Sequence, residues 1–381
     1  MSSFLHHDLT PEEQQIRDVT RQFVINELRP HERRVEEQDS FDRDLADELR
    51  AKAVAAGLYA YNMPADVGGP GLGVLAQVLI REQLGHVSMP LADVLGRPPR
   101  VLLACNEAQR KDYLLAAVEG KRTWAFALTE PGAGSDATAL STRAVPDGDG
   151  YRITGRKQYI SNGDHADFVI VFAQVPDAGV TAFLVDRGTE GFSVGRIEPK
   201  MGWKGYQVAE LVFEDCYVPA CNVLGEVGGG FKLAMEQINE ARLGVAAHCV
   251  GMAQRAYDLA VEHITNRVQF GQPVSEFQGV RWMVADMLVD IERHRAMLYA
   301  AARTVERGDR RQARVAVSMI KLAASEMVCR VADTALQLFG GAGYMADTPI
   351  EMIYRDARAF RIGEGTSEIQ RNQISREALR R

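Results

Sequence analysis

The apolar period of this chain changes twice, and each change marks a boundary that any fold must respect. Thr10-Pro11-Glu12-Glu13 offers a capping residue, a proline at the first helical position and acids in the first turn, so helical stretches are expected from there to Leu58. Residues 59–73 are rich in Pro and Gly and read as a loop; helical character resumes at Val74 and is interrupted again by Gly96-Arg97-Pro98-Pro99. Past Gly120 the runs shorten. Residues 124–129, 151–160, 168–175, 180–185 and 210–218 are brief apolar or alternating segments, split by turn clusters such as Pro146-Asp147-Gly148-Asp149-Gly150, which predicts strands of antiparallel character. Beyond Gly230 the helical stripe returns, through Val245, Cys249, Met252 and Ala256, then Val284, Leu288 and Ile291, then Val315, Met319 and Leu322. Short connections such as Arg307-Gly308-Asp309 predict an antiparallel bundle.

A chain of 381 residues exceeds one ordinary hydrophobic core. The pattern therefore predicts an α+β multidomain protein: an N-terminal helical domain over 1–122, a middle antiparallel β-domain over 123–228 and a C-terminal antiparallel helical bundle over 229–381. A net charge of −7 argues against a general nucleic-acid binder, which gains affinity by neutralising phosphates. Five cysteines without paired short spacing give no zinc framework and suit reduced thiols. Residues 1–10 lack the charged start and apolar run of a leader, and no stretch is apolar enough to span a bilayer, so a cytoplasmic protein off the membrane is expected.

The residue most suggestive of chemistry is Glu364, held between Gly363 and Gly365 in a turn that precedes a last helix capped by Thr366 or Ser367. Glycines on both sides let the backbone turn sharply and a bulky substrate approach the carboxylate. Elsewhere, Gly132-x-Gly134-x-x-Ala137 superficially matches a dinucleotide fingerprint. That fingerprint needs a helix to open after the glycines, and residues 138–145 show no helical stripe.

Phe360-Arg361-Ile362-Gly363-Glu364-Gly365-Thr366-Ser367 resembles the C-terminal signature of the acyl-CoA dehydrogenases, and the helical, β, helical order resembles their fold over nearly the whole chain. The resemblance implies that Glu364 is the general base, that FAD is the cofactor and that Gly365, Thr366 and Glu368 line the site. Residues 126–137 resemble the family's flavin loop, which implies that Phe126, Leu128 and Thr129 meet the isoalloxazine and that Ser135 touches both cofactor and substrate. Residues 153–163 resemble its second flavin strand and imply Tyr159 against the ring and Ser161 near its N5. Arg267, Phe270 and Gln278, with Gln337, Gly340 and Gly341, resemble the segments that reach the diphosphate and adenosine of a neighbouring subunit's FAD, which implies a homo-oligomer, a tetramer or a dimer. Some members carry the base beside Arg242, where this chain has Ala241; Arg242 is expected at the polar end of CoA.

The implied activity is α,β-dehydrogenation of an acyl-CoA thioester to a trans-2-enoyl-CoA, with an electron-transferring flavoprotein as acceptor. Other readings left open are an acyl-carrier-protein thioester as substrate, O2 as oxidant, or a catalytically silent relative that binds CoA or a partner. Three positions depart from the common pattern. Gly363 replaces a tyrosine and is expected to leave room for a branched or ring-bearing acyl group; Tyr206-Gln207 replaces a small hydroxyl residue; and Arg97 stands among prolines, read as a solvated surface charge or as a contact for a carboxylate tail.

Overall fold

The computed structural model describes Leu5 and residues 7–380, so the opening segment read for a leader lies partly outside the described residues. The first helix, Pro11–Phe23, starts at the expected cap: Thr10 Oγ1 accepts from the Glu13 N–H at 3.2 Å while the Thr10 N–H donates to the Glu13 carboxylate at 2.8 Å. Helices Glu32–Gln38, Arg43–Ala55 and Val74–Leu84 complete the main helical framework of the first third.

The middle of the chain forms one sheet. Its strands are β1 (Trp124–Ala127), β2 (Arg143–Asp147), β3 (Gly150–Ser161), β4 (Phe168–Val175), β5 (Gly179–Asp186), β6 (Phe192–Ile197), β7 (Val208–Pro219) and β8 (Val223–Leu224). They run in the order β6-β7-β3-β2-β4-β5-β8, with β1 beside β4. Most pairs are antiparallel, as expected, but β4 has two parallel neighbours: β1, with Trp124 opposite Phe168 and Ala127 opposite Val171, and β2, with Arg143 opposite Gln174. The sheet is therefore mixed, because the chain reaches β4 from each of these strands by an excursion rather than a hairpin. Both faces of β4 are covered: Phe168, Ile170 and Phe172 join the core shared with the N-terminal helices, whereas Val169, Val171 and Ala173 join a second core on the opposite face. A strand buried on both sides reads as a continuous apolar run, which is what residues 168–175 show.

The last third is built on helices Gly230–Asn266, Gln278–Glu306 and Arg310–Phe339, followed by Pro349–Ala357 and the terminal helix Ser367–Ala378. The turn between the second and third is the expected one, with Gly308 at φ 81° and Asp309 accepting from the Arg311 and Gln312 N–H groups.

The first of these, called here the long helix, carries the N-terminal domain against the bundle. Glu32 takes a two-pronged grip from Arg255, and Glu82 accepts from Arg295 Nε at 2.8 Å and from the Tyr299 hydroxyl at 2.7 Å. Between these ion pairs, Gly251 faces the end of the Val74–Leu84 helix so closely that a Cβ there would overlap the Glu82 carbonyl. We predict that Gly251→Ala costs about 1–3 kcal/mol of stability, because neither backbone can yield without losing its neighbours. A chemical-denaturation midpoint unchanged from the parent would show that the two helices separate freely.

Candidate active site

Glu364 lies where a short helical turn (Arg358–Arg361) ends and the terminal helix has not begun. Its backbone is left-handed, at φ 55°, and Gly365 follows at φ 88°. A residue with a Cβ pays about 1–2 kcal/mol for that conformation, so something must hold it. Three side chains do, all through carbonyl oxygens. Arg242 Nε and Gln370 Nε2 donate to the Glu364 carbonyl at 2.9 and 3.2 Å; Lys321 Nζ and Gln370 Nε2 donate to the Gly365 carbonyl at 2.5 and 3.0 Å. Thr366, rather than Ser367, caps the terminal helix by accepting from the Ile369 N–H. Ser367 is buried instead. Glu368, in the first turn, is exposed and near Arg371.

Because the cations grip the carbonyls, the Glu364 carboxyl itself is free of any ion pair among the described residues. Burial pushes its pKa up, and the positive charges of Arg97, Arg242 and Lys321 oppose that without overcoming it. Burial likewise draws Lys321 down to about 8. A half-buried carboxylate with a raised pKa and no bonded partner is suited to take a proton near neutral pH.

Arg242 and Arg97 both turn inward here. Arg242 is 7% exposed, and besides the Glu364 carbonyl it holds Asn239 Oδ1 at 2.8 Å and Gln373 Oε1 at 2.9 Å. Those bonds, through Nε and Nη1, tie Arg242 to the Glu364 loop and to the terminal helix. Arg97 is not a solvated surface charge: its side chain runs inward against the long helix, where a Cβ on Gly244 would overlap Nη1. Lys321 was not foreseen at all. Its signal was available, a lysine in the buried stripe that includes Val317, Ala324 and Val328.

The two strands expected to meet a flavin do lie together. Gln158 N–H donates to the Thr129 carbonyl at 2.9 Å, and Lys157, fully buried, donates to the Leu128 carbonyl at 3.1 Å and to Glu130 at 2.7 Å. Glu130 also accepts from the Ser141 and Thr142 N–H groups; burial pushes its pKa up, but Lys157 and these donors hold it down at about 2. Phe126 packs on Phe172, Ser135 is exposed, and Ser161 is half-buried. Tyr159 stands at a register shift of β3 with φ 59° and 60% of its surface exposed, an aromatic face without a covering group. Tyr206 and Gln207 are tied to the protein, to Asp93 and to the Asp39 carbonyl.

The remaining predicted residues gather at the other end of the bundle. Arg267 and Gln278 are exposed, and Phe270, at a hairpin turn, is 92% exposed. His263 stacks on Phe339 with ring centroids 4.3 Å apart, which brings the end of the long helix beside Gln337, Gly340 and Gly341. A Cβ on either of those glycines would meet nothing within 4 Å. Arg267 is 25 residues beyond Arg242 along the long helix, about 37 Å at 1.5 Å per residue. One chain thus holds two separate groups of predicted residues, one at Glu364 and one at Arg267. Two surface hollows, around Arg21 and His86 and around Arg143 and Arg152, contain neither group.

Comparison with known proteins gives a match along the whole chain. Residues 10–121, 125–216 and 228–379 match the N-terminal, middle and C-terminal domain models of acyl-CoA dehydrogenases. An acryloyl-CoA reductase (NADH) of Anaerotignum propionicum is 39% identical over 98% of this chain and 96% of its own. Among solved structures, butyryl-CoA dehydrogenase from Megasphaera elsdenii superposes with a TM-score of 0.90 at 36% identity, covering 99% of this chain and 100% of the other. A chain from work on the electron transferring flavoprotein of Acidaminococcus fermentans gives 0.92 at 38% identity, with 99% and 100% covered.

A base whose pKa is raised gives turnover that climbs as pH passes that pKa and falls away below it. Lys321→Met removes a cation that favours the ionised form, so the acid limb of the pH–kcat/KM profile should move to higher pH. Loosening the Gly365 carbonyl should also lower kcat about ten- to a hundredfold. An acid limb that stays in place would mean that Lys321 does not act on Glu364.

Proposed function

The chain belongs to the acyl-CoA dehydrogenase family, and from that premise we propose that Glu364 removes the α-proton of an acyl-CoA thioester, with Leu128, Thr129, Tyr159 and Ser161 as residues that would hold FAD, whose chemistry would be to take up the β-hydride. The product is a trans-2-enoyl thioester. The observation that carries this reading is the Glu364 carboxyl: raised in pKa, unpaired, and fixed through its own and the next carbonyl.

The residues suit the cofactor. A flat ring needs an open aromatic face and backbone carbonyls held in line, as Tyr159 and the Lys157-braced Leu128 offer. A diphosphate needs close backbone approach and a guanidinium, as Gly340, Gly341 and Arg267 offer. FAD, when bound, supplies the two-electron acceptor that no side chain provides. The protein's own part is positional. The Glu364 N–H makes no hydrogen bond within the described residues and remains a donor for the thioester oxygen, where charge develops as the α-proton leaves. A Cβ on Gly363 would meet only the Ala359 carbonyl oxygen, at 3.8 Å, which supports room beside the reacting carbons. Ala241, in the long helix, cannot act as an alternative base, and Glu240 is turned toward Asn62 and Arg100.

The distance between the Glu364 and Arg267 groups supports a homo-oligomer in which one chain's Arg267, Phe270 and Gln278 complete the cofactor site of a neighbour. Large apolar side chains at that end, Phe270, Trp282 and Tyr344, are exposed in the single chain, as a subunit interface requires. We take an electron-transferring flavoprotein as the acceptor, a choice supported by the likeness to the Acidaminococcus structure. No helix among the described residues is long and apolar enough to cross a membrane, which agrees with a partner met in solution.

Glu364→Gln should keep its flavin but lose anaerobic flavin bleaching by acyl-CoA about a thousandfold or more, the worth of a positioned base; rapid bleaching in this variant would refute the assignment. Arg267→Ala should raise the FAD dissociation constant about tenfold or more. Flavin content unaffected by dialysis would count against a phosphate contact.

A further inference from the structure

Arg97 is held in place from both sides. Gly96 before it has φ 54°, and a Cβ there would overlap the Tyr59 ring, so only glycine fits the turn. Pro98 and Pro99 after it stiffen the chain, and Asn62 Nδ2 donates to the Pro98 carbonyl at 2.9 Å. The guanidinium then lies against the backbone at Gly244, one helical turn from Glu240 and two residues from Arg242, whose Nε holds the Glu364 carbonyl. Arg97 and Glu364 lie close enough for their charges to act on one another, and Arg97 is the foremost cation acting on that carboxyl.

In that position it lacks partners. Among the described residues no hydrogen bond or ion pair reaches Arg97. Around it the polar groups are similarly incomplete: Tyr61 is 2% exposed with an unpartnered hydroxyl, Asn62 Oδ1 is buried without a hydrogen bond, and Glu240 Oε2 has only Arg100, at 3.9 Å. Although burial opposes its charge, Glu240, Tyr61, Glu364 and Asp93 keep the guanidinium firmly protonated. The nearer acids are engaged elsewhere. Glu240 takes the Asn62 amide at 3.3 Å and has Arg100 at 3.9 Å; Asp93 accepts from Asn162 and Tyr206. A half-buried guanidinium, partly withdrawn from water with none of its five donors bonded by the protein, carries a desolvation cost. A hydrocarbon tail laid against it would leave that cost in place, whereas an acceptor group would remove it.

We propose that the acyl group bound beside Glu364 ends in a carboxylate and that Arg97, with the Tyr61 hydroxyl, receives it. The substrate class is then a short dicarboxylic acyl thioester. The planar fork of arginine matches the two carboxylate oxygens, and Tyr61 adds a third donor. This rests on the reading of the site as one for acyl-CoA and specifies the acyl group within it. Arg97 is a specificity-determining residue here and takes no part in proton transfer.

The test uses the flavin-loaded protein with Glu364→Gln, so that ligands bind without turnover. Dissociation constants are read from the perturbed flavin spectrum for carbon-matched pairs: succinyl- and butyryl-CoA, glutaryl- and pentanoyl-CoA, adipyl- and hexanoyl-CoA. At least one dicarboxylic member should bind roughly tenfold or more tightly than its partner, the worth of one charge-assisted contact. Adding Arg97→Met should bring that ratio close to one, and Arg97→Lys should restore part of it. Equal binding within every pair, a preference for the unsubstituted chains, or a ratio that survives Arg97→Met would overturn the proposal while leaving the acyl-CoA reading intact. If no thioester of either kind perturbs the flavin, the acyl-CoA reading fails and this inference goes with it.

Discussion

A backbone clamp decides what Glu364 can do. Had Arg242 or Lys321 bonded the carboxylate directly, the charged form would be favoured and the pKa driven below its ordinary value, as happens at Glu130 against Lys157. Instead the two cations are spent on the carbonyls of Glu364 and Gly365. They still act on the carboxyl through space, but burial outweighs them and its pKa rises. The same bonds offset the cost of the left-handed backbone, so one arrangement fixes both the geometry and the proton affinity of the group. Gln370, from the first turn of the terminal helix, bonds both carbonyls and locks that helix to the loop it follows.

The clamp in turn depends on the long helix. Along one rod it carries Arg242 at the base, Gly244 against Arg97, Gly251 against the N-terminal helices, Arg255 against Glu32, and Arg267 at its far end. Small residues between them, such as Ala246, Ala247, Ala253 and Ala256, are fully buried, so neighbouring helices approach closely and the rod has little freedom to shift. A displacement at the N-terminal interface would therefore be felt at Glu364. Buried ion pairs such as Glu82–Arg295 hold that interface in register, since misalignment of the two domains leaves charges without partners.

Much of this was legible in the sequence because it is local. The cap at Thr10, the helix restart at Val74, the apolar runs of β4 and β5, and the glycine-flanked Glu364 are all set by patterns of a few residues. What escaped is set by contacts between distant segments. The parallel pairing of β1 with β4 has no local signature, since parallel neighbours are chosen by the excursion between them. An arginine among prolines is usually at the surface; the half-burial of Arg97 follows from Gly244, far along the chain, leaving a space that its side chain enters. Arg242 was recognised as functional, but its role depends on where the Glu364 loop falls, which no motif around residue 242 records. Lys321 was readable as a lysine in an apolar stripe, a position where a charge needs a partner, yet nothing in the stripe names a carbonyl as that partner.

The two ends of the long helix then give a reason for the proposed assembly beyond surface chemistry. On the proposed reading, the reacting carbons must lie between Glu364 and a flavin ring held by the sheet, while the phosphate-compatible groups gather about 37 Å along the rod. A straight helix cannot fold back on itself to join them, and the Gln337 to Gly341 segment is fastened to the same far end by the His263–Phe339 stack. Bending either element would break the helical hydrogen bonds and the buried small-residue contacts that align the base. The cheaper solution is a second copy turned so that its far end meets the first copy's sheet, because that joins the two groups without deforming either chain. Under such an arrangement the exposed Phe270 and Tyr344 become buried as the cofactor site closes, and flavin retention and subunit association become coupled properties of one interface.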